Sequence, residues 1–461
     1  MGSSVKKRSL FRTYAKNKRR LPASRREILE QFRVYREMFV EGLMKPFNEI
    51  SRELAPATIG GMLGITPFEI PTGTLHWIPG GGCRYKKKQG GCTMCDGYGH
   101  IGKEPTRLYW NKWMERTAKP YIKRLVDEII EQKKRPIINF SNASIFDPEE
   151  FPPEIRREFF RFLGEQFKRL SVQGITPIYA CETRLEFITD DVVREMREFL
   201  GPEAKIFIGI GIESSNTVIR EYIINKGFGE NLDTVIKEKL EIFKKYGVSM
   251  EGHVLVGIPG LTYLESMTSA IQTSVHLLEL GVHNIILMAY NSKSSESLPT
   301  LLGQELDDSI SYLFRPLPNI LLLEILFRVM EEAHNRGYEY PLMFGFETPT
   351  EKCEIVGGCP HCAARIRTAI EQYDKWVTIR DPERARAEIK ALLEEHLTCE
   401  CTDRTIEILE TELKSSTLEE RFPRLLKDIA ITILRKFDTP DLRERFKAQL
   451  DKVRKVAGGE L

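Results

Sequence analysis

Gly81-Gly82-Cys83-Arg84-Tyr85-Lys86-Lys87-Lys88-Gln89-Gly90-Gly91-Cys92-Thr93-Met94-Cys95 places three cysteines in a C-x8-C-x2-C spacing. The stretch follows Thr74 to Ile78, a short apolar run that reads as a strand. Glycines on both sides of the cysteines let the loop fold tightly around whatever they hold. Three thiolates suit three irons of a four-iron cluster, because soft sulfur ligands hold iron–sulfur centres, and the fourth iron is then left open. The same cysteines could instead hold zinc with a distant fourth ligand, such as His100. What favours the cluster is the place of the loop, immediately after the first strand of an alternating chain.

That alternation runs outward from the loop. Apolar runs at Thr74 to Ile78, Pro136 to Phe140, Pro177 to Cys181, Lys205 to Ile212, Gly252 to Val256 and Asn284 to Ala289 read as six buried strands. Between them lie amphipathic stretches, Tyr121 to Lys133, Pro153 to Leu170, Asp190 to Phe199, Asn231 to Tyr246 and Leu264 to Leu280. Strands separated by helices imply a parallel sheet with crossover helices, an α/β fold whose functional residues gather where strands end. Polar residues do gather there: Asn139, Ser141 and Asn142, then Glu182 and Arg184, then Glu213, Ser214, Ser215 and Asn216. Residues 1–71 read as a basic arm with N-terminal helices and 72–300 as the core barrel. Residues 301–402 read as barrel completion with a cysteine-rich region, and 403–461 as a charged helical extension.

With 461 residues, 41% of them hydrophobic and 29% charged, the chain can bury a sizeable core. There is no run of 18 uninterrupted apolar residues, and the first 30 residues lack the apolar stretch of a signal peptide. The expectation is a cytoplasmic protein without a membrane partner. The net charge is only +2, but ten Lys or Arg and no acidic residue occur up to Arg26, so the remainder is net acidic. A basic arm on an acidic body suits phosphate contacts with nucleic acid and equally suits a solubilising leader. The Lys86-Lys87-Lys88 run could likewise steer phosphates or be a solvated loop.

Several stretches together resemble radical S-adenosylmethionine (SAM) enzymes of the elongator-catalytic-subunit type over roughly residues 72 to 300. They are the cysteine loop, Glu182-Thr183-Arg184, Gly209-Ile210-Gly211-Ile212-Glu213-Ser214-Ser215 and Val256-Gly257-Ile258-Pro259-Gly260. The resemblance implies a partial (βα)6 radical SAM barrel, a 4Fe-4S cluster on Cys83, Cys92 and Cys95, and S-adenosyl-L-methionine held by Glu182 and Arg184. Ser141, Asn142, Glu213, Ser215 and Met94 join them as candidate cofactor contacts; no catalytic residue is singled out. Within that group the chain is similar to archaeosine-forming radical SAM enzymes. The residues that carry this are Asn142 to Glu150, Ile224-Asn225-Lys226-Gly227-Phe228, and the pairs Cys359-Pro360-His361-Cys362 and Cys399-Glu400-Cys401. This implies a lyase-like reaction on a tRNA base, cleaving a lysine-bearing 7-deazaguanine side chain to an amidine. It also implies an electron donor such as ferredoxin or flavodoxin and leaves room for a partner enzyme.

Cys359, Cys362, Cys399 and Cys401 supply two clips of thiolates, the ligand count of a closed zinc site, with Cys353 spare. His361 could replace one thiolate. A second iron–sulfur cluster and no metal at all remain alternatives, because spacing alone does not choose the metal. Two rival functions follow: a radical SAM enzyme on a small molecule or protein, and a nonenzymatic zinc-bearing RNA-binding protein.

Overall fold

The structure is a computed structural model. It describes residues 21–22, 26–37, 40, 44–45, 65–70, 73–78, 83–94, 106–132, 137–141, 144–290, 298–338, 342–343, 359, 362, 364–366, 368, 381–436, 440, 444 and 447. Eight strands form one sheet in sequence order: β1 (Thr66–Ile70), β2 (Gly73–Trp77), β3 (Ile137–Ser141), β4 (Ile178–Glu182), β5 (Lys205–Glu213), β6 (Val248–Val256), β7 (Asn284–Ala289) and β8 (Leu342–Met343). β1 and β2 form an antiparallel hairpin, and every pairing from β2 to β8 is parallel. Parallel neighbours in chain order require crossover helices, which make the curved wall of a partial barrel.

All six expected strands are present. The hairpin strand β1 and the two-residue β8 add to them. β6 begins at Val248, earlier than expected, because Ser249 and Glu251 alternate with apolar residues and interrupt an apolar run.

The helices follow the expected order. α1 (Arg26–Glu37) precedes the sheet, and α2 (Arg84–Gln89) follows β2. Crossovers are α3 (Lys119–Gln132), α4 (Pro153–Val172), α5 (Asp190–Leu200), α6 (Leu232–Lys245) and α7 (Tyr263–Leu280). α8 (Leu298–Glu305) and α9 (Asn319–Asn335) complete the barrel side, and α10 (Pro382–His396), α11 (Asp403–Glu412) and α12 (Leu418–Lys436) form the C-terminal layer.

Strand alternation divides the barrel wall into two faces. Ile138, Phe140, Tyr179, Ile206, Ile208, Ile210 and Val254 are buried against the helices in the principal core. Their alternates, including Asn139, Ala180, Glu182, Phe207, Gly209 and Gly211, turn to the lumen, so β4 alternates half-buried and buried positions along its length. Cys181 points the other way: it is 2% exposed, and burial pushes its thiol well above the ordinary range. It is a core residue.

A second apolar cluster lies at the carboxyl end of the strands. It joins Phe32 and Tyr35 of α1, Val218, Ile219, Ile223 and Ile224 after β5, Leu301 and Leu302 of α8, and Phe422, Leu425, Leu426 and Ile429 of α12. Phe422 packs on both aromatic rings of α1, at centroid distances of 5.2 Å from Phe32 and 5.6 Å from Tyr35. Helices from the two ends of the chain thus share one core, and Cys92 and Met94 pack against it. Among the described residues no helix is long and apolar enough to cross a membrane.

Candidate functional site

Cys83 ends the passage out of β2 and caps α2: its Sγ accepts the backbone N–H of Lys86 at 3.5 Å. The N–H of Arg84, another free donor at the start of this short helix, goes to Glu150 Oε1 at 3.0 Å. α2 stops at Gly90 and Gly91, both with φ near +80°, a conformation that an L side chain rarely adopts. The chain therefore reverses within two residues before Cys92, and Cys83 and Cys92 both act on the charge of Arg184. Cys95 and His100 lie outside the described residues.

The segment after β5 grips this loop from below. Thr93 is fastened twice, its N–H to Ile224 O and its Oγ1 to Ile223 O, both at 2.8 Å. Asn225 has φ +58°, unusual for any residue but Gly, and its side chain explains why. Its Nδ2 donates to Gly91 O at 2.7 Å and Gln89 O at 3.2 Å, while its Oδ1 accepts Arg36 Nε at 2.8 Å. Asn225 is a splint between the cysteine loop, α1 and the barrel.

Two buried cations stand beside the thiols. Arg184 sits just beyond β4 with its guanidinium 4.1 Å from the centre of the Tyr85 ring and 5.0 Å from that of Phe228, and it donates to Lys226 O at 2.9 Å. Burial opposes its charge, but Cys92, Glu186 and Cys83 more than offset this, and its pKa is raised. Lys226 pairs with Glu213 at 2.9 Å, both largely buried. Burial again opposes, while Glu213 and Cys92 raise its pKa. Both cations are held charged within the field of the thiols.

Below them the lumen is floored by glycine. A Cβ on Gly209 would meet His253 Nε2 at 2.6 Å and Glu182 Cγ at 3.3 Å, and one on Gly211 would collide with the Glu213–Lys226 pair. Glycine at these two positions makes room for the side chains of Glu182, His253, Glu213 and Lys226. Glu251, next to Gly209 in the ladder, has its pKa raised to about 7 by burial and then by Glu182. Asn139 Oδ1 is buried on the same wall and lacks a hydrogen-bond partner among the described residues, as a group awaiting a ligand would be.

The expected site residues divide accordingly. Glu182, Arg184, Glu213, Cys83 and Cys92 are gathered at the carboxyl ends of β2, β4 and β5. Met94 is partly buried and packs against the second core. Ser215 turns to α7, its N–H donating to Thr273 Oγ1 at 2.8 Å. Ser141 is the last residue of β3, but its side chain and all of Asn142 lie outside the described residues. Within the lysine run Lys86 is 5% exposed and Lys88 bonds both oxygens of Glu149 at 2.9 Å, while Arg84 meets Glu149 at 3.1 Å; the Lys87 side chain lies outside the described residues.

The sequence alone does not mark Lys226, Asn225 or Glu251 as site residues. Asn225 and Lys226 sit in a loop whose role depends on a partner more than 130 residues away. A cavity of about 670 Å³ lies elsewhere, on the outer flank between α6, α7 and the end of α9. It holds no thiol and does not adjoin the lumen glycines.

The late cysteines also converge. Sγ atoms of Cys359, Cys362 and Cys399 lie within 4.8 Å of one another. The backbone of Cys401 forms part of a 3-10 turn, but its side chain, with Cys353 and His361, lies outside the described residues.

No family model matches the chain. A stretch of 204 residues is 30% identical to an uncharacterized protein of Methanocaldococcus jannaschii, covering 44% of this chain and 52% of that protein. The chain thus matches about half the length of this relative. Among solved structures, methylornithine synthase aligns with a TM-score of 0.37 and 12% identity over 63% of this chain and 69% of that one. HydG, a maturase of FeFe-hydrogenase, aligns with 0.33 and 11% over 89% and 97%. The radical S-adenosylmethionine methyltransferase TsrM from Kitasatospora setae gives 0.30 and 11% over 50% and 39%.

Proposed function

We propose that the chain is a radical SAM enzyme that holds a 4Fe-4S cluster on Cys83, Cys92 and Cys95 above the lumen of its partial barrel. One observation carries the reading. Cys83 and Cys92 are brought to the carboxyl ends of parallel strands, beside two buried cations, above a wall where Gly209 and Gly211 make room for the side chains of Glu182 and Glu213. Thiolate-ligated clusters are anionic, so fixed positive charge from Arg184 and Lys226 suits one. Bound together, cluster and S-adenosylmethionine supply a one-electron reduction of the sulfonium that releases a 5′-deoxyadenosyl radical.

The chain's own groups define the rest. Glu182 and Asn139 face the lumen and are the groups that would meet the amino and carboxylate ends of a bound amino acid. Arg184 is committed to Tyr85, Glu186 and Lys226 O, so its part is to fix the cysteine loop and its charge. Anaerobic reconstitution with iron and sulfide tests the reading. The reduced protein should show the electron paramagnetic resonance of a 4Fe-4S centre that shifts when S-adenosylmethionine is added. A spectrum indifferent to S-adenosylmethionine would sink it.

The finer proposal is a tRNA substrate, with an archaeosine-forming, lyase-like reaction. It rests on the resemblance of the Asn142 to Glu150 and Ile224 to Phe228 stretches and on the basic residues up to Arg26. Mass analysis of nucleosides in tRNA from a deletion strain tests it. Loss of one modified purine supports it, and an unchanged profile moves the substrate to the small-molecule or protein class.

A further inference from the structure

We propose that Cys359, Cys362 and Cys399 hold one mononuclear zinc ion that pins Cys359 and Cys362 to the corner between α10 and α11. This stands independently of the barrel chemistry.

Sulfur spacing carries the argument. Cys359 Sγ and Cys399 Sγ are 4.0 Å apart, and the third sulfur, of Cys362, is within 4.8 Å of both. Four sulfurs around one zinc at ~2.3 Å stand about 3.8 Å apart in a tetrahedron. Thiolates on separate irons of a four-iron cluster splay outward and stand farther apart, so the site is too tight for a second cluster. A disulfide needs sulfurs ~2 Å apart and would leave the third cysteine idle. The backbone N–H of Cys362 donates to Cys359 Sγ at 3.4 Å, the turn of a Cys-x2-Cys clip, which steadies charge on that sulfur. Three sulfurs at this spacing, with Cys362 only 4% exposed, would repel one another as bare thiolates. A divalent ion removes the repulsion. Cys401 follows Cys399 by two residues in sequence, and its side chain lies outside the described residues.

The place of the site says what the ion does. Ile366, just after the first clip, belongs to the principal core, and α10 ends three residues before Cys399. α11, which begins at Asp403, carries Glu412 back to the start of α7. An ion here therefore anchors the C-terminal layer to the barrel.

Metal analysis of the full-length protein tests this, with zinc and iron measured separately. One zinc per chain is expected in the wild type, with severalfold less in Cys362→Ser and Cys399→Ser while iron is unchanged. Should those variants fold poorly, cobalt added to zinc-stripped wild type gives a second measurement. Visible and near-ultraviolet bands of tetrahedral thiolate coordination are expected, bleached by one equivalent of zinc. Iron in place of zinc, a cluster that disappears with Cys399, a Cys359–Cys399 disulfide, or no cobalt bands would each overturn the proposal.

Discussion

Asn225 shows how much a single side chain can decide. Its left-handed backbone is maintained by bonds to Gln89 O, Gly91 O and Arg36, so the loop between Cys83 and Cys92 depends on one amide group. Asn225→Ala should leave the barrel folded yet shorten the lifetime of the reconstituted cluster severalfold, read as iron loss to a chelator. Asn225→Asp keeps the acceptor but loses both donors and should behave almost as badly. Cluster retention equal to wild type in both would remove Asn225 from the account. Glu251 gives a second prediction at this scale. Its folded pKa is raised from 4.5 to about 7 by burial and by Glu182, so the folded state binds this proton more tightly than the unfolded chain. Its contribution to stability is therefore complete below about pH 4.5 and is lost as pH rises to about 7. Glu251→Gln should lack this fall and gain on wild type by about 1–3 kcal/mol across that window. Parallel denaturant curves at each pH would check it, and a constant difference between the two proteins would contradict it.

Helix α7 makes the same point for an element, because the start of a helix leaves four backbone donors to be satisfied. Thr262 and Glu265 form a capping box that accounts for their own two N–H groups. Glu412 of α11 takes the other two, from Tyr263 and Leu264, each at 2.9 Å. Arg421 of α12 closes the group by binding Glu265. Glu412→Ala leaves two buried donors without an acceptor and should cost about 2–4 kcal/mol. Hydrogen exchange should accelerate at Tyr263 and Leu264 and across α11 and α12; unchanged exchange there would show that the C-terminal layer docks by other means. Half of this arrangement is legible in the sequence. The Thr262-x-x-Glu265 spacing is a local signal, whereas Glu412 is about 150 residues away and sits in a helix that reads as merely charged. The strands show the same division. Apolar runs locate six of them, but Ser249 and Glu251 hide the start of β6, and the hairpin strand β1 falls within the stretch that reads as the arm. A residue such as Gly209 or Glu251 acquires its meaning only once the neighbouring strand is in register.

At the scale of the whole molecule, the barrel order follows from alternating apolar and amphipathic stretches, while the meeting of α1 with α12 does not. Nothing in the 26–37 stretch signals Phe422 as a partner, because their packing depends on both ends of the chain returning to the same face. That shared core supports the face where the cysteine loop lies. The basic residues before it, Lys6 to Arg20, lie outside the described residues, and their role is open to a salt experiment. Deleting residues 1–20 should weaken tRNA binding and lower the log–log salt slope by about 0.7–0.9 for each phosphate that the arm neutralises. An unchanged slope would take the arm out of RNA binding.

Cofactor turnover reaches the central claim most directly. The reconstituted, dithionite-reduced protein should convert S-adenosylmethionine to 5′-deoxyadenosine and methionine without added substrate. The Cys83→Ala, Cys92→Ala and Cys95→Ala variants should each lose both cluster iron and this activity, whereas Cys399→Ser should keep them. Formation of 5′-deoxyadenosine by Cys92→Ala at the wild-type rate, or none by a wild-type protein carrying a full cluster, would contradict the account.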